Sequence, residues 1–142
     1  MRASTVVVAV LVLICFQSLN VTVNGQSTGN STISGTVRCG GGCDTVGLAY
    51  GDPINAAGRV VAVMTMALDP KTGYPRPDLP LTNAQASFDA LAHGQYVLHG
   101  LLPGSYDLYV YVNGYQPVRV ASGFTVHAGQ SLHYDAYVTP TK

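Results

Sequence analysis

The chain has 142 residues, among them no tryptophan and no glutamate, and charged side chains make up only 10% of it. Without glutamate there is no zinc helix of the His-Glu-x-x-His type and no Glu acid or base for catalysis. No Gly-x-x-x-x-Gly-Lys phosphate loop occurs either. Seven basic and seven acidic residues leave the formal charge at zero, so the basic footprint of a nucleic-acid binder is missing. Polarity comes instead from Gly, Thr, Ser, Tyr and Asn. Such a neutral, hydroxyl-rich surface suits glycans or another protein's sheet, and it is equally the surface of any secreted domain.

Long apolar runs are also scarce. The unbroken stretch 6–16 follows Arg2 and gives way to Gln17, Ser18 and Asn20. This pattern predicts a secretory signal peptide over 1–25, with Val23-Asn24-Gly25 before the cleavage point. The run is short for a membrane span. Cys15 invites a lipoprotein reading, which Ile14 before it opposes. The expectation is export to the medium or cell surface, with no membrane-spanning segment after cleavage; an uncleaved anchor is the alternative. Residues 26–32 read as a polar linker that includes the glycosylation sequon Asn30-Ser31-Thr32.

Only three cysteines are present, and after export two remain, Cys39 and Cys43, around Gly40-Gly41-Gly42. In an oxidising compartment the default is a local disulfide. The competing readings are a metal pair, which needs more soft ligands nearby, and a redox pair, which favours two-residue spacing.

The residues that are plentiful organise the stretch 94–115. In its first run Tyr96, Leu98 and Leu101 point one way while Val97 and His99 point the other. In its second run Tyr106, Leu108, Val110 and Val112 alternate with Asp107, Tyr109, Tyr111 and Asn113. Period two over eight residues predicts a half-buried strand. Burial of its apolar face is worth roughly 1.5–3 kcal/mol per aliphatic side chain and fixes the register. Leu102-Pro103-Gly104-Ser105 fits a type II turn with Gly104 at positive φ, and Asn113-Gly114 a second tight turn.

This stretch, Gly94-x-Tyr96-x-Leu98-x-Gly100-Leu101-x-Pro103-Gly104-x-Tyr106-x-Leu108-x-Val110 with Gly114-Tyr115, resembles the signature of carboxypeptidase regulatory-like domains. These are similar in fold to Cna B-type and transthyretin-like modules. The resemblance implies an all-β, single antiparallel β-sandwich of seven or eight strands, prealbumin- or Ig-like, over 33–139, with 140–142 as a short end. Its function would be that of an extracellular accessory module with a carbohydrate-binding-like fold. Weaker matches lie at Ile33-Ser-Gly-Thr-Val37, at Gly51-Asp52-Pro53-Ile54-Asn55-Ala56-Ala57, and in the segment 126–132, which resembles a closing hairpin. Gly58 and Arg59 are extra to the pattern, and a bulge at Gly58 would absorb them. The His-x-x-Glu motif of the peptidases, the Tyr-Arg-Gly-Ser ending of hydroxyisourate hydrolases and the isopeptide-forming Lys (Arg38 lies near its place) do not carry over. No enzyme activity and no cofactor is expected.

Elsewhere, 60–68 reads as a central strand covered on both faces. Four prolines make 69–81 a loop, in which Tyr74 and Arg76 could engage a ligand; an ordinary crossover between sheets is the alternative. Residues 82–93 read as strand or irregular. Ser122-Gly123 reads as a bend, and 132–138 as the last strand. The four histidines, His93, His99, His127 and His133, show no chelating spacing, so no metal site is expected. If the strands carrying them are neighbours, Tyr109, Tyr111, His133 and Tyr137 form one amphipathic platform for a glycan or a cell-surface protein. The alternative is that these tyrosines are cross-strand packing pairs or are covered by the proline-rich loop. A further function reading is a structural subunit in which 26–37 donates a strand to a neighbour's sheet. A small hydrolase ranks last.

Overall fold

The computed structural model describes residues 29–142; the signal peptide expected at 1–25 and the start of the linker lie outside the described residues. The strands are β1 (Ser31–Cys39), β2 (Gly58–Ala67), β3 (Asn83–Phe88), β4 (Gln95–Leu101), β5 (Gly104–Val112), β6 (Val118–Val126), β7 (Ser131–His133) and β8 (Ala136–Val138). They form two four-stranded sheets. In one, β1 is flanked by β4 on one side and by β7 and β8 on the other; the second has the order β3-β2-β5-β6. Alternation decides the layering. Ile33 and Val37 on β1, Val60, Ala62 and Met64 on β2, Leu98 on β4, and Tyr106, Leu108, Val110 and Val112 on β5 are all buried in one apolar cluster between the sheets. The all-β, two-sheet architecture of eight strands is therefore as expected.

The pairing is not uniformly antiparallel. β1 runs parallel to both β7 and β8. The segment 127–130 carries the chain from β6 in one sheet to β7 in the other. It is thus a crossover turn and not the expected closing hairpin, so nothing forces β7 to run against its neighbour. The last strand is also split. Gly35 leaves room for the Tyr134 carbonyl, which a Cβ at residue 35 would meet at 1.7 Å. That carbonyl accepts the Tyr96 hydroxyl at 2.5 Å. With the 134–135 peptide turned this way, the Thr36 amide donates to the Asp135 carboxylate at 2.9 Å.

Several local expectations are corrected. The 102–105 segment does not turn on a positive φ at Gly104; the positive φ falls at Gly100 (74°). Gly104 is buried at the start of β5, where a Cβ would meet the Met66 carbonyl at 2.6 Å. The need there is close approach of two backbones. β4 and β5 belong to different sheets, so their connection is a crossover. Gly58 holds no bulge: it stands in register opposite both Phe88 and Val112, and the irregularity of β2 lies between Met64 and Met66. β2 is central as expected, but only one face is covered, since Arg59 and Thr65 are exposed and Val61 and Val63 only partly buried. The domain begins before residue 33: Ser31 is fully buried and its hydroxyl donates to the His127 carbonyl. It also runs past 139, because the Thr141 amide donates to the Gly114 carbonyl at 3.0 Å.

Cys39 and Cys43 are joined in a disulfide, with Cα atoms 6.2 Å apart. Residues 83–88 are a strand, the 69–81 loop leaves β2 for β3, and Asn113-Gly114 is a tight turn closed by Tyr115 N–H to the Val112 carbonyl. The Ser122-Gly123 bend is a bulge in β6: its two residues face Asp107 alone, and the Asp107 carboxylate accepts the Ser122 hydroxyl and the Gly123 amide.

Candidate functional site

The outer face of the β3-β2-β5-β6 sheet follows from the same alternation that builds the core. Residues odd to the buried set on β5, namely Asp107, Tyr109 and Tyr111, turn outward and are half-buried. Cross-strand register then fixes their neighbours. One row reads Ser87, Arg59, Tyr111; the next reads Gln85, Val61, Tyr109, Arg119; a third reads Asn83, Val63, Asp107. Within these rows the Tyr109 and Tyr111 rings stack with centroids 6.5 Å apart. The Arg59 guanidinium lies over the Tyr111 ring, 4.7 Å from its centroid. Such a contact between a cation and a ring face holds both side chains in place on an open surface.

Asp107 is the carboxylate of this face, and its charge is already committed. The Gly123 amide and the Ser122 hydroxyl hold its pKa below the usual carboxylate range, with a smaller contribution from the Arg119 charge. Arg59 and Arg119 themselves stand within 4 Å of no carboxylate among the described residues. The face therefore offers the Tyr111 hydroxyl, the Tyr109 hydroxyl beside Asp107, two guanidinium groups, and the amides Gln85 and Asn83 over an apolar floor of Val61 and Val63.

The single platform expected from the sequence does not form. Tyr137 on β8 and His133 on β7 lie in the other sheet, so they face away from Tyr109 and Tyr111. Tyr137 is 45% exposed and stacks on Tyr50, at 5.7 Å between centroids, against the disulfide loop. His133 Nε2 pairs with Asp135 at 3.0 Å. Asp135 also accepts from Arg38 Nε at 3.1 Å. His99 and His133 occupy strands on opposite sides of β1. Among the described residues, no three His, Cys, Asp or Glu side chains gather as metal ligands. The same residues contain no helix long and apolar enough to cross a membrane.

Tyr74 and Arg76 sit on the proline-rich loop at one end of the sandwich, apart from both faces. Tyr74 is 72% exposed. Arg76 is consumed by a clamp, donating to Asp69 at 2.8 Å and to Asp78 at 2.7 Å. The Arg76 hydrogen bonds lower the Asp78 carboxyl to about 2, and those two carboxylates raise Arg76 above its usual range. Asp69 is lowered by the Lys71 amide and then by Arg76. The clamp folds the loop over a partly open groove of about 490 Å³, walled by Met64, Leu68, Leu79, Leu102 and Pro103. Arg76 is thus a fastener of the loop.

Arg59, Arg119, Gln85 and Asn83 are the members that reasoning on the sequence missed. Arg59 alternates with Val60 and Arg119 with Val118 and Val120, so each reads as outward-facing. What places them beside the tyrosines is the pairing of β2 and β6 with β5, which no local pattern encodes. No family model matches the chain, and no curated protein matches it.

Proposed function

We propose that this chain is a non-catalytic, exported β-sandwich module of the carboxypeptidase regulatory-like type. In this reading it binds carbohydrate, or a protein at the cell surface, through the outer face of β3-β2-β5-β6. The observation that carries the reading is the Arg59-Tyr111-Tyr109-Arg119 cluster on an open sheet. Aromatic rings, hydroxyls and forked donors converge there, with Arg59 and Arg119 exposed beside them. Rings supply apolar contact and their hydroxyls meet polar rims, the combination that sugars and protein hot spots both use. The signature residues support the family reading through their positions: Tyr96, Leu98, Tyr106, Leu108 and Val110 are all core.

Internal pairing counts against the alternative, donation of 26–37 to a neighbour's sheet. β1 is hydrogen-bonded on both edges inside its own sheet, so 31–37 is already paired. The test of the main reading is Tyr109→Ala with Tyr111→Ala, assayed on a glycan array and against cell-surface extracts. Both side chains face outward, so thermal unfolding should shift little while ligand retention is lost. Retention unchanged in the double variant would remove this face as the site.

A further inference from the structure

Neutral composition hides an uneven placement of charge. Six basic side chains lie among the described residues: Arg38, Arg59, Lys71, Arg76, Arg119 and Lys142. Arg38 and Arg76 are spent in ion pairs with Asp135, Asp69 and Asp78. Arg59 and Arg119, with no such pair, both project from the tyrosine face. Between them stand Tyr111 and Tyr109, since Arg59 is the cross-strand partner of the first and Arg119 of the second. Two strand spacings and two residues of rise set the Arg59 and Arg119 Cα atoms about 12 Å apart, on a diagonal across three strands. The Asp107 carboxylate on the same face is turned to the β6 bulge by Ser122 and Gly123.

From this we infer that the tyrosine face takes an acidic polysaccharide, with Arg59 and Arg119 each engaging a carboxylate of a uronic acid unit and Tyr109 and Tyr111 meeting the sugars between them. The inference rests on the proposed binding role of that face and adds the class of ligand. A guanidinium is a planar fork that matches a carboxylate through two parallel N–H donors, which favours carboxylate over a neutral hydroxyl. Two guanidinium groups with tyrosines between them suit an extended chain whose charges recur along its length. Single-stranded nucleic acid also combines stacking with charge, but it needs a basic groove along many phosphates. Here two cations stand on a chain of zero formal charge.

The probe is polygalacturonate, set against the same polymer fully methyl-esterified and against a single-stranded oligonucleotide of similar length. The variants are Arg59→Gln, Arg119→Gln, the pair together, and Tyr109→Ala with Tyr111→Ala, each checked for an unchanged unfolding midpoint. The expected result is preference for the free acid over the ester and weakening of roughly fivefold for each Arg variant. Added salt should lower retention, because the contacts are exposed. Equal binding of acid and ester, lost only in the tyrosine variant, overturns the charge assignment and leaves the tyrosine face standing. Retention of neither polymer overturns the charge assignment together with the carbohydrate arm of the proposed function. Tighter binding of the oligonucleotide than of the acid overturns the ligand class.

Discussion

Replacing Asp135 by alanine should destabilise the domain by about 2 kcal/mol at neutral pH and by less in acid. The magnitude comes from what the carboxylate holds. It accepts the Thr36 amide at 2.9 Å in the middle of β1, where the split between β7 and β8 removes the backbone acceptor. It also accepts Arg38 Nε at 3.1 Å, and Asp135 is only 26% exposed there. Truncation leaves a strand amide without its partner, a loss of about 1–3 kcal/mol. Arg38 keeps its bond to the Gly51 carbonyl, so less is lost on that side. The His133 contact adds little, because that ring is 68% exposed. About 2 kcal/mol corresponds to a fall of roughly 8 °C in Tm for a domain of this size.

The pH dependence follows from the direction of the Asp135 shift. Burial alone would raise its pKa; the Thr36 amide, Arg38 and His133 outweigh burial and lower it. A carboxyl that titrates lower in the folded than in the unfolded chain favours folding when ionised. Its contribution is complete above the unfolded value of about 3.9 and disappears as pH falls through the lower folded value. Urea unfolding of wild type and Asp135→Ala at about pH 7 and about pH 2 should therefore show a gap that narrows in acid, where the protonated carboxyl keeps an acceptor for Thr36 but loses its charge. Asp135→Asn, which keeps an acceptor for Thr36 but no charge, should lie between them at neutral pH. A gap that is the same at both pH values refutes the electrostatic argument. A neutral-pH loss below about 0.5 kcal/mol refutes the claim that the carboxylate stands in for the missing ladder bond.

Two further outcomes are expected. Replacing Cys39 and Cys43 together by alanine should cost about 2 kcal/mol in urea unfolding, since the ring they close is so short. Burial pushes the Tyr106 phenol up to about 12. Tyr106→Phe should therefore remove a late-ionising component from the alkaline absorbance titration, and it should cost about 1 kcal/mol because the Leu102 carbonyl loses its 2.6 Å donor.

What could be read from the sequence was whatever alternation alone determines. Tyr106, Leu108, Val110 and Val112 had to share a face, and burying them chose which one. The disulfide, the loop at 69–81 and the bend at Ser122-Gly123 were legible because Cys, Pro and Gly act locally. The errors share one cause, partner identity across distance. Gly58 looks like a bulge only until Phe88 and Val112 stand opposite it. β2 looks doubly covered because its apolar run is continuous, whereas its outer side is half open beside Tyr109 and Tyr111. Tyr137 and Tyr109 have the same local pattern, yet their strands joined different sheets.

That division bears on where binding chemistry can reside in this chain. The residues that carry the family resemblance are occupied with architecture: Tyr96 and Tyr106 turn their hydroxyls to the Tyr134 and Leu102 carbonyls, and Gly104 lets β5 approach Met66. Tyr96 and Tyr106 are buried and keep no hydroxyl free for a ligand. Arg59, Gln85, Tyr109, Tyr111 and Arg119 lie outside the signature positions and support nothing in the core, since alternation turns them away from it. Such positions can change without disturbing packing, so on the proposed reading they are the ones free to set a ligand preference. Positions taken up by packing in this way carry no information about a ligand. On the proposed reading, the exposed rows that strand pairing assembles are the place to test for a ligand.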